Sequence, residues 1–377
     1  MRPFRLACVL LFAAGGCGRL GFDGGSGGPD QPTSNGIVPG TGLRTPAPEV
    51  NHTPYVCATK QFGGVVLDGG DLDVDLSVVP TATGATVLWV PVAGGALKGF
   101  ETDAQLALQG NAAGTTIRAG TFTASAGAYV DGSLIAAVVS NTRTIVHLVP
   151  SGLGSYTQIG NVDGPQVSKT PALHAGADRI TPTTSSCTDG LQVTPYDNAW
   201  TPQGTLYGTP ESTLTSLDAI TVENVAFTMW SNAQAGCNIV QLTDAANRTS
   251  SSDAMPCPNP RLVSLGTQVG LVFENPAGVG IVHAPKESLA ASGAVLLDPN
   301  SSAPRIAYDG SKVWTSFLDA SGELTVGYLD GAGMLQSTPL GVRPSGHAHE
   351  LTYTNGGLWV LSVDSTLGFA AQRICAD

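Results

Sequence analysis

A chain of 377 residues with 48 Gly, 25 Pro and only 12% charged residues has the composition of a turn-rich all-β protein. It lacks the Leu/Glu/Lys/Ala blocks of a helical one. Its formal net charge of -12 repels phosphate backbones and anionic lipid head groups, so nucleic acid is excluded as a partner.

The chain opens with Arg2 and Arg5, an apolar run from Leu6 to Ala14, and small residues up to Cys17. That run is too short to span a bilayer and reads as an export signal. Ala14-Gly15-Gly16-Cys17 resembles the lipobox of bacterial lipoproteins, with Ala14 where that family usually has Leu. The following G-R-L-G-F-D-G-G resembles the mature start of myxobacterial-type lipoproteins. The resemblance implies that residues 1–16 are a lipoprotein signal peptide and that Cys17 is lipidated. It also implies a cell-envelope address, as an outer-membrane lipoprotein joined to the membrane through its N-terminal lipid. A plain signal peptide with an incidental Cys is the alternative.

Residues 17–50 are a Gly, Pro, Ser and Thr mixture with almost nothing to bury, which predicts a flexible tether. Residues 51–377 are the folded domain. Its clearest stretch is Pro304 to Leu335, three short apolar or alternating runs separated by Asp-Gly, Ser-Gly and Asp-Gly, which predicts three strands joined by tight turns. Weaker copies recur. Marking one apolar position in each second strand gives Val87, Ile135, Ile180, Val225, Val269, Val313 and Leu358, about 44 to 48 residues apart. In the third repeat, Pro182 argues for an edge or bulged strand.

A unit of this length with about four strands, repeated seven times, resembles the blade of a β-propeller. The implied fold is an all-β, seven-bladed β-propeller; six or eight blades, or two tandem β-sandwiches, fit the same strand spacing. Neither a G-H…W-D pair nor an S-x-D-x-G-x-T-W box is present, so no particular propeller family is matched. The last repeat stops after three strands, and the run from Pro54 to Lys60 is a spare strand that could close the ring. In that arrangement Cys57 and Cys375 lie on one face of the same blade, which predicts a disulfide between them. Cys187, Cys237 and Cys257 fall on the opposite face, and within this trio Cys237 and Cys257 are the expected pair.

No H-E-x-x-H, G-x-S-x-G, Walker or dinucleotide motif occurs, and no cofactor is expected beyond a possible Ca²⁺ or other divalent cation. Asp71, Asp73 and Asp75 alternate with apolar residues, so on a strand their carboxylates would share one face, as a cation site or a solvated acidic edge. His347 and His349 would likewise share a face of an extended segment. Aligned on the marks, Arg261, Arg305 and Glu350 occupy one slot of three neighbouring repeats. The expected ligand site is therefore Arg261, Arg305, His347, His349 and Glu350, with Asp71, Asp73 and Asp75 as metal ligands. The function this leaves is a membrane-anchored, exported binding or interaction module for a protein or glycan. The alternative is an exported propeller-fold hydrolase or lyase whose active site gathers residues from several blades. Binding is favoured over catalysis because the chain is poor in charged residues.

Overall fold

The computed structural model describes residues 52–63, 72–109, 114–130, 133–140, 143–149, 153, 155–163, 172–176, 179–186, 190–193, 201, 207–209, 214–222, 225–232, 236–242, 248–253, 258–266, 268–285 and 295–376. The predicted lipidation site Cys17, the tether, Asp71, Cys187 and Cys257 lie outside them. So does the expected Cys237–Cys257 pair, of which only Cys237 is described.

Among these residues the chain runs entirely through antiparallel strands. β1 (Tyr55–Gln61) comes first, and then one sheet follows another in chain order. Sheet 1 holds β2 (Val74–Pro80), β3 (Gly84–Pro91), β4 (Gly95–Asp103), β5 (Leu108–Gln109) and β6 (Thr115–Phe122), with β5 and β6 both paired to β4. Sheet 2 holds β7 (Ala124–Val130), β8 (Ser133–Val139), β9 (Arg143–Val149) and β10 (Thr157–Asp163). Sheet 3 holds β11 (Ala172–Gly176), β12 (Arg179–Ser186), β13 (Gly190–Val193) and β14 (Tyr207–Thr209). Sheet 4 holds β15 (Leu214–Val222), β16 (Val225–Asn232), β17 (Gly236–Leu242) and β18 (Arg248–Asp253). Sheet 5 holds β19 (Arg261–Ser264), β20 (Gln268–Asn275), β21 (Gly278–Pro285) and β22 (Val295–Pro299). Sheet 6 holds β23 (Ser302–Tyr308), β24 (Val313–Leu318), β25 (Leu324–Leu329) and β26 (Leu335–Pro339). Sheet 7 holds β27 (His349–Thr354), β28 (Gly357–Asp364) and β29 (Gly368–Cys375), and its fourth strand is β1, from the other end of the domain.

Second strands such as β3, β8 and β28 read as nearly unbroken apolar runs because both of their faces are covered. In β3 and β28 every residue is buried. Val87 and Trp89 of β3 pack with Trp359, Leu361 and Phe369 of sheet 7, while Leu88 and Val90 pack with Leu134, Ala136 and Val138 of sheet 2. β28 divides its residues in the same way, Leu358 and Val360 going to sheet 6 and Trp359 and Leu361 to sheet 1. A strand's side chains alternate between faces, so an apolar neighbour on each side favours apolar residues on both faces rather than on alternate positions only. Burying each such Leu, Val or Trp stabilises the fold by about 1.5–3 kcal/mol.

The first strands make a second set of contacts. β2 lies against β7, β7 against β11, β11 against β15, β15 against β19, β19 against β23, β23 against β27, and β27 against β2. Sheets 1 and 2 approach closely enough that a Cβ on Gly127 of β7 would come within 2.4 Å of Val79 Cγ2. No larger residue fits there.

Pro182 is placed as its chemistry requires, though not in an edge strand. β12 is internal to sheet 3, but Pro182 pairs only with Leu173 of β11, and the ladder to β13 starts at Thr183. Pro182 thus stands where β12 has a partner strand on one side only, so its missing N–H can interrupt at most one ladder.

β1 pairs with β29 from Tyr55 opposite Cys375 to Gln61 opposite Ala370, with a bulge between Val56 and Ala58. Cys57 is the residue the bulge leaves over, and it forms the disulfide to Cys375 across a Cα–Cα distance of 5.8 Å. The expectation for this pair is met. Just past β1, the Phe62 N–H donates to the Phe369 carbonyl (2.8 Å), and the Phe62 ring meets those of Phe100 and Phe369.

Candidate functional site

The register brings the expected slot together. Asp75 pairs with Val90, Ser125 with Val138, Arg261 with Val272, Arg305 with Ser316, and Glu350 with Leu361. In each case the partner lies three residues beyond the mark in the second strand. Five of the seven first strands therefore present a polar residue at one level, and Asp218 of β15 is one residue away from it, opposite Met229. Ser125 and Asp218 were not singled out in the sequence: counting back from Ile135 and Val225 by the spacing that joins Arg261, Arg305 and Glu350 to their marks gives Gly127 and Leu217 instead.

Asp75 is buried at 4% exposure, not part of a solvated acidic edge. Its Oδ2 accepts from the Ser125 N–H (2.6 Å) and its Oδ1 lies 3.9 Å from His347 Nδ1. Burial pushes its carboxyl up to about 7. The Ser125 hydrogen bond and the Arg305 and Arg261 charges pull it back, and Glu350 adds to the rise. Asp73, by contrast, is exposed and stands before the strand begins, where Ser345 Oγ donates to its Oδ1. Asp73 and Asp75 therefore differ in burial as well as in local structure, and among the described residues no three His, Cys, Asp or Glu side chains gather as metal ligands.

Arg305 is buried at 2% exposure with every nitrogen engaged. Nη1 donates to the Pro304 carbonyl (2.9 Å), Nε to His349 (3.1 Å) and Nη2 to Gly346 (3.0 Å), while Glu350 Oε2 lies 3.4 Å from Nε. Burial and the neighbouring Arg261 charge lower its pKa to about 10, so it stays charged at neutral pH. It clasps sheet 6 to the segment that leads into sheet 7. Asp75 does the same between sheets 1 and 2, and Asp218 between sheets 4 and 5, where its Oδ2 accepts from the Leu262 N–H (2.8 Å).

The two histidines do not share one extended face. His347 lies in a turn and is half exposed, whereas His349 opens β27 and is fully buried. Burial and the Arg305 and Arg261 charges hold His349 neutral, well below the usual imidazole range. The Ser345 and Ala303 backbone opposes that shift, but neither ring nitrogen makes a hydrogen bond of normal geometry. His347 is lowered by the same three causes, with Asp73 and Glu274 opposing.

Arg261 is half-buried, and Glu350 keeps 22% of its side chain exposed. The charge of Arg261 on β19 acts on Asp75 on β2, two strands from sheets that are not neighbours in the series. Charged groups of sheets 1, 5, 6 and 7 thus converge on one region where the first strands begin.

No family model matches the chain, and no curated protein matches its sequence. Solved structures do. It is similar to the BP39L lectin from Burkholderia pseudomallei, with a TM-score of 0.62 at 14% identity over 81% of this chain and 96% of that one. A chain of the hydrazine synthase of Kuenenia stuttgartiensis has a TM-score of 0.58 at 11% identity, over 83% of this chain and 100% of that one. A chain of a mitotic checkpoint complex has a TM-score of 0.53 at 12% identity, over 91% and 100%. Identities this low speak for the fold alone, and the fold they support is all-β and β-propeller-like.

Proposed function

We propose that the chain is an envelope-anchored binding module. In this reading the seven sheets are the blades of one ring, closed where β1 completes sheet 7, and the ligand sits where the first strands begin. The series of first-strand contacts, with β27 against β2, supports the ring. The Cys17 lipid and the tether of residues 17–50 would hold the ring to the membrane while letting it range by several nanometres. Loss of membrane fractionation in Cys17→Ser tests that anchor, and unchanged fractionation rejects it.

The convergence of Arg261, Glu350, His347 and Asp75 from separate sheets carries the binding reading. Polar groups brought together from distant parts of a chain are the usual mark of a ligand site. Glycan and envelope-protein arrays probed with the purified protein should give a ligand. Its binding should fall in His347→Ala, at a half-exposed residue, while the melting temperature holds. Undiminished binding by that variant would place the site elsewhere.

The alternative, an exported hydrolase or lyase, has one observation in its favour. Asp75 titrates near neutral pH beside His347, as a catalytic acid would. Its burial and its bond to the Ser125 N–H favour a structural clasp instead.

A further inference from the structure

Arg305 and Arg261 occupy the same slot of adjacent sheets but are used differently. All three nitrogens of Arg305 donate to backbone carbonyls. Among the described residues, Arg261 makes one hydrogen bond, from Nη1 to the Pro260 carbonyl (2.9 Å), and no ion pair. A guanidinium carries five N–H donors in a planar fork, so a half-buried Arg261 keeps donors that only a ligand or water can meet. Close to it in charge terms lie Asp75, Arg305, His347 and His349, all of which respond to it. Glu350 is held by Arg305 Nε and by the Leu351 N–H at Oε1 (3.0 Å), but a carboxylate has about four lone-pair sites, so its exposed part can still accept.

We propose that Arg261 anchors a carboxylate of the ligand, and that the ligand is a sugar acid whose hydroxyls donate to Glu350 and His347. This rests on the binding reading above. One free planar fork suits one planar carboxylate, held by two parallel N–H···O bonds. A dianion such as phosphate would meet Glu350 close by and the net charge of -12 beyond it. Acceptors beside the anchor call for O–H donors on the same molecule, which uronate rings supply and simple carboxylates do not.

Calorimetric titration of the purified protein with trigalacturonate, neutral galactotriose and triglutamate tests this. Trigalacturonate is expected to saturate, to bind about tenfold or more tighter than galactotriose, and to lose about that factor in Arg261→Gln. Arg261→Lys keeps the charge without the fork and should bind at an intermediate level. Equal binding of galactotriose, no loss in either Arg261 variant, or no saturation by trigalacturonate overturns the proposal. Equal binding of triglutamate overturns the assignment to a sugar. A neutral glycan that binds and is lost in Glu350→Gln would leave the binding module standing while removing the carboxylate.

Discussion

Asp75 holds a proton at pH values where the unfolded chain has released it, since burial moves its pKa from 3.8 up to about 7. A raised carboxyl pKa makes stability fall as pH rises between those two values, and level off above the upper one. The full difference is ~4 kcal/mol, by the usual worth of a pKa unit. Asp75→Asn removes the cost, and the amide oxygen can still accept from the Ser125 N–H. The variant should match the parent near pH 4 and exceed it by up to a few kcal/mol at pH 8, in urea unfolding followed across that range. His349 works in the opposite direction, because its lowered pKa penalises falling pH, but it is common to both proteins and cancels in the comparison. Equal stability at pH 8 would mean that Asp75 is not a buried acid. Equivalent spacing from the marks made the slot of Arg261, Arg305 and Glu350 legible in the sequence. It could not show that Asp75 and His349 are buried, because burial follows from which neighbouring sheet covers each face.

At the scale of single elements, the tight turns of sheet 6 share one device. Asp309 Oδ1 accepts from the N–H of Ser311 and Lys312 (2.7 Å each) and from Ser311 Oγ (2.8 Å), while Oδ2 accepts from Trp314 Nε1 (2.7 Å). Asp319 and Asp330 repeat it, each accepting at Oδ1 from the N–H groups two and four residues on. Gly322 and Gly333 supply the positive φ angles, 77° and 76°, that these turns need. Partial burial pushes the Asp309 carboxyl up, but the hydrogen bonds from Trp314, Lys312 and Ser311 together outweigh it and leave the pKa lowered. Its contribution is therefore fully present above the unfolded value of 3.8 and lost as pH falls below it through the lower, folded value. Asp309→Ala leaves the indole N–H of buried Trp314 without its acceptor, which costs about 1–3 kcal/mol. Thermal melts at pH 7 should show that loss, with a difference between parent and variant that shrinks as pH falls below 3.8 toward the lower, folded value. These turns were the most readable part of the sequence, since Asp-Gly and Ser-Gly between alternating runs have few other uses. The doubled outer position of sheet 1, shared by β5 and β6, was not readable, because β5 is two residues long and carries no periodicity.

For the whole molecule, the two ends of the domain meet in sheet 7, and three separate interactions hold them. One is the β1–β29 ladder, another the Cys57–Cys375 disulfide, and the third a ring cluster in which Phe62 meets Phe100 and Phe369, and Phe369 meets Trp89. The spare first strand and the truncated last repeat made this junction legible. The aromatic cluster was not, because its members lie far apart in the chain and only the closure brings them together. The disulfide spans a sequence separation of 318, so the chain-entropy argument assigns it roughly 5–6 kcal/mol, an upper figure. In Cys57→Ala/Cys375→Ala the ladder and the aromatic cluster remain, so the domain should still fold, with a lower urea midpoint and an unchanged far-UV spectrum. Adding Phe62→Ala removes a buried ring from the same junction, at about 3–5 kcal/mol on its own. If the two lesions act on one junction, the triple variant should depart from the sum of its parts, since residues that share a contact network are not additive. Strict additivity, or a Cys57→Ala/Cys375→Ala variant as stable as the parent, would show that the domain does not depend on this closure.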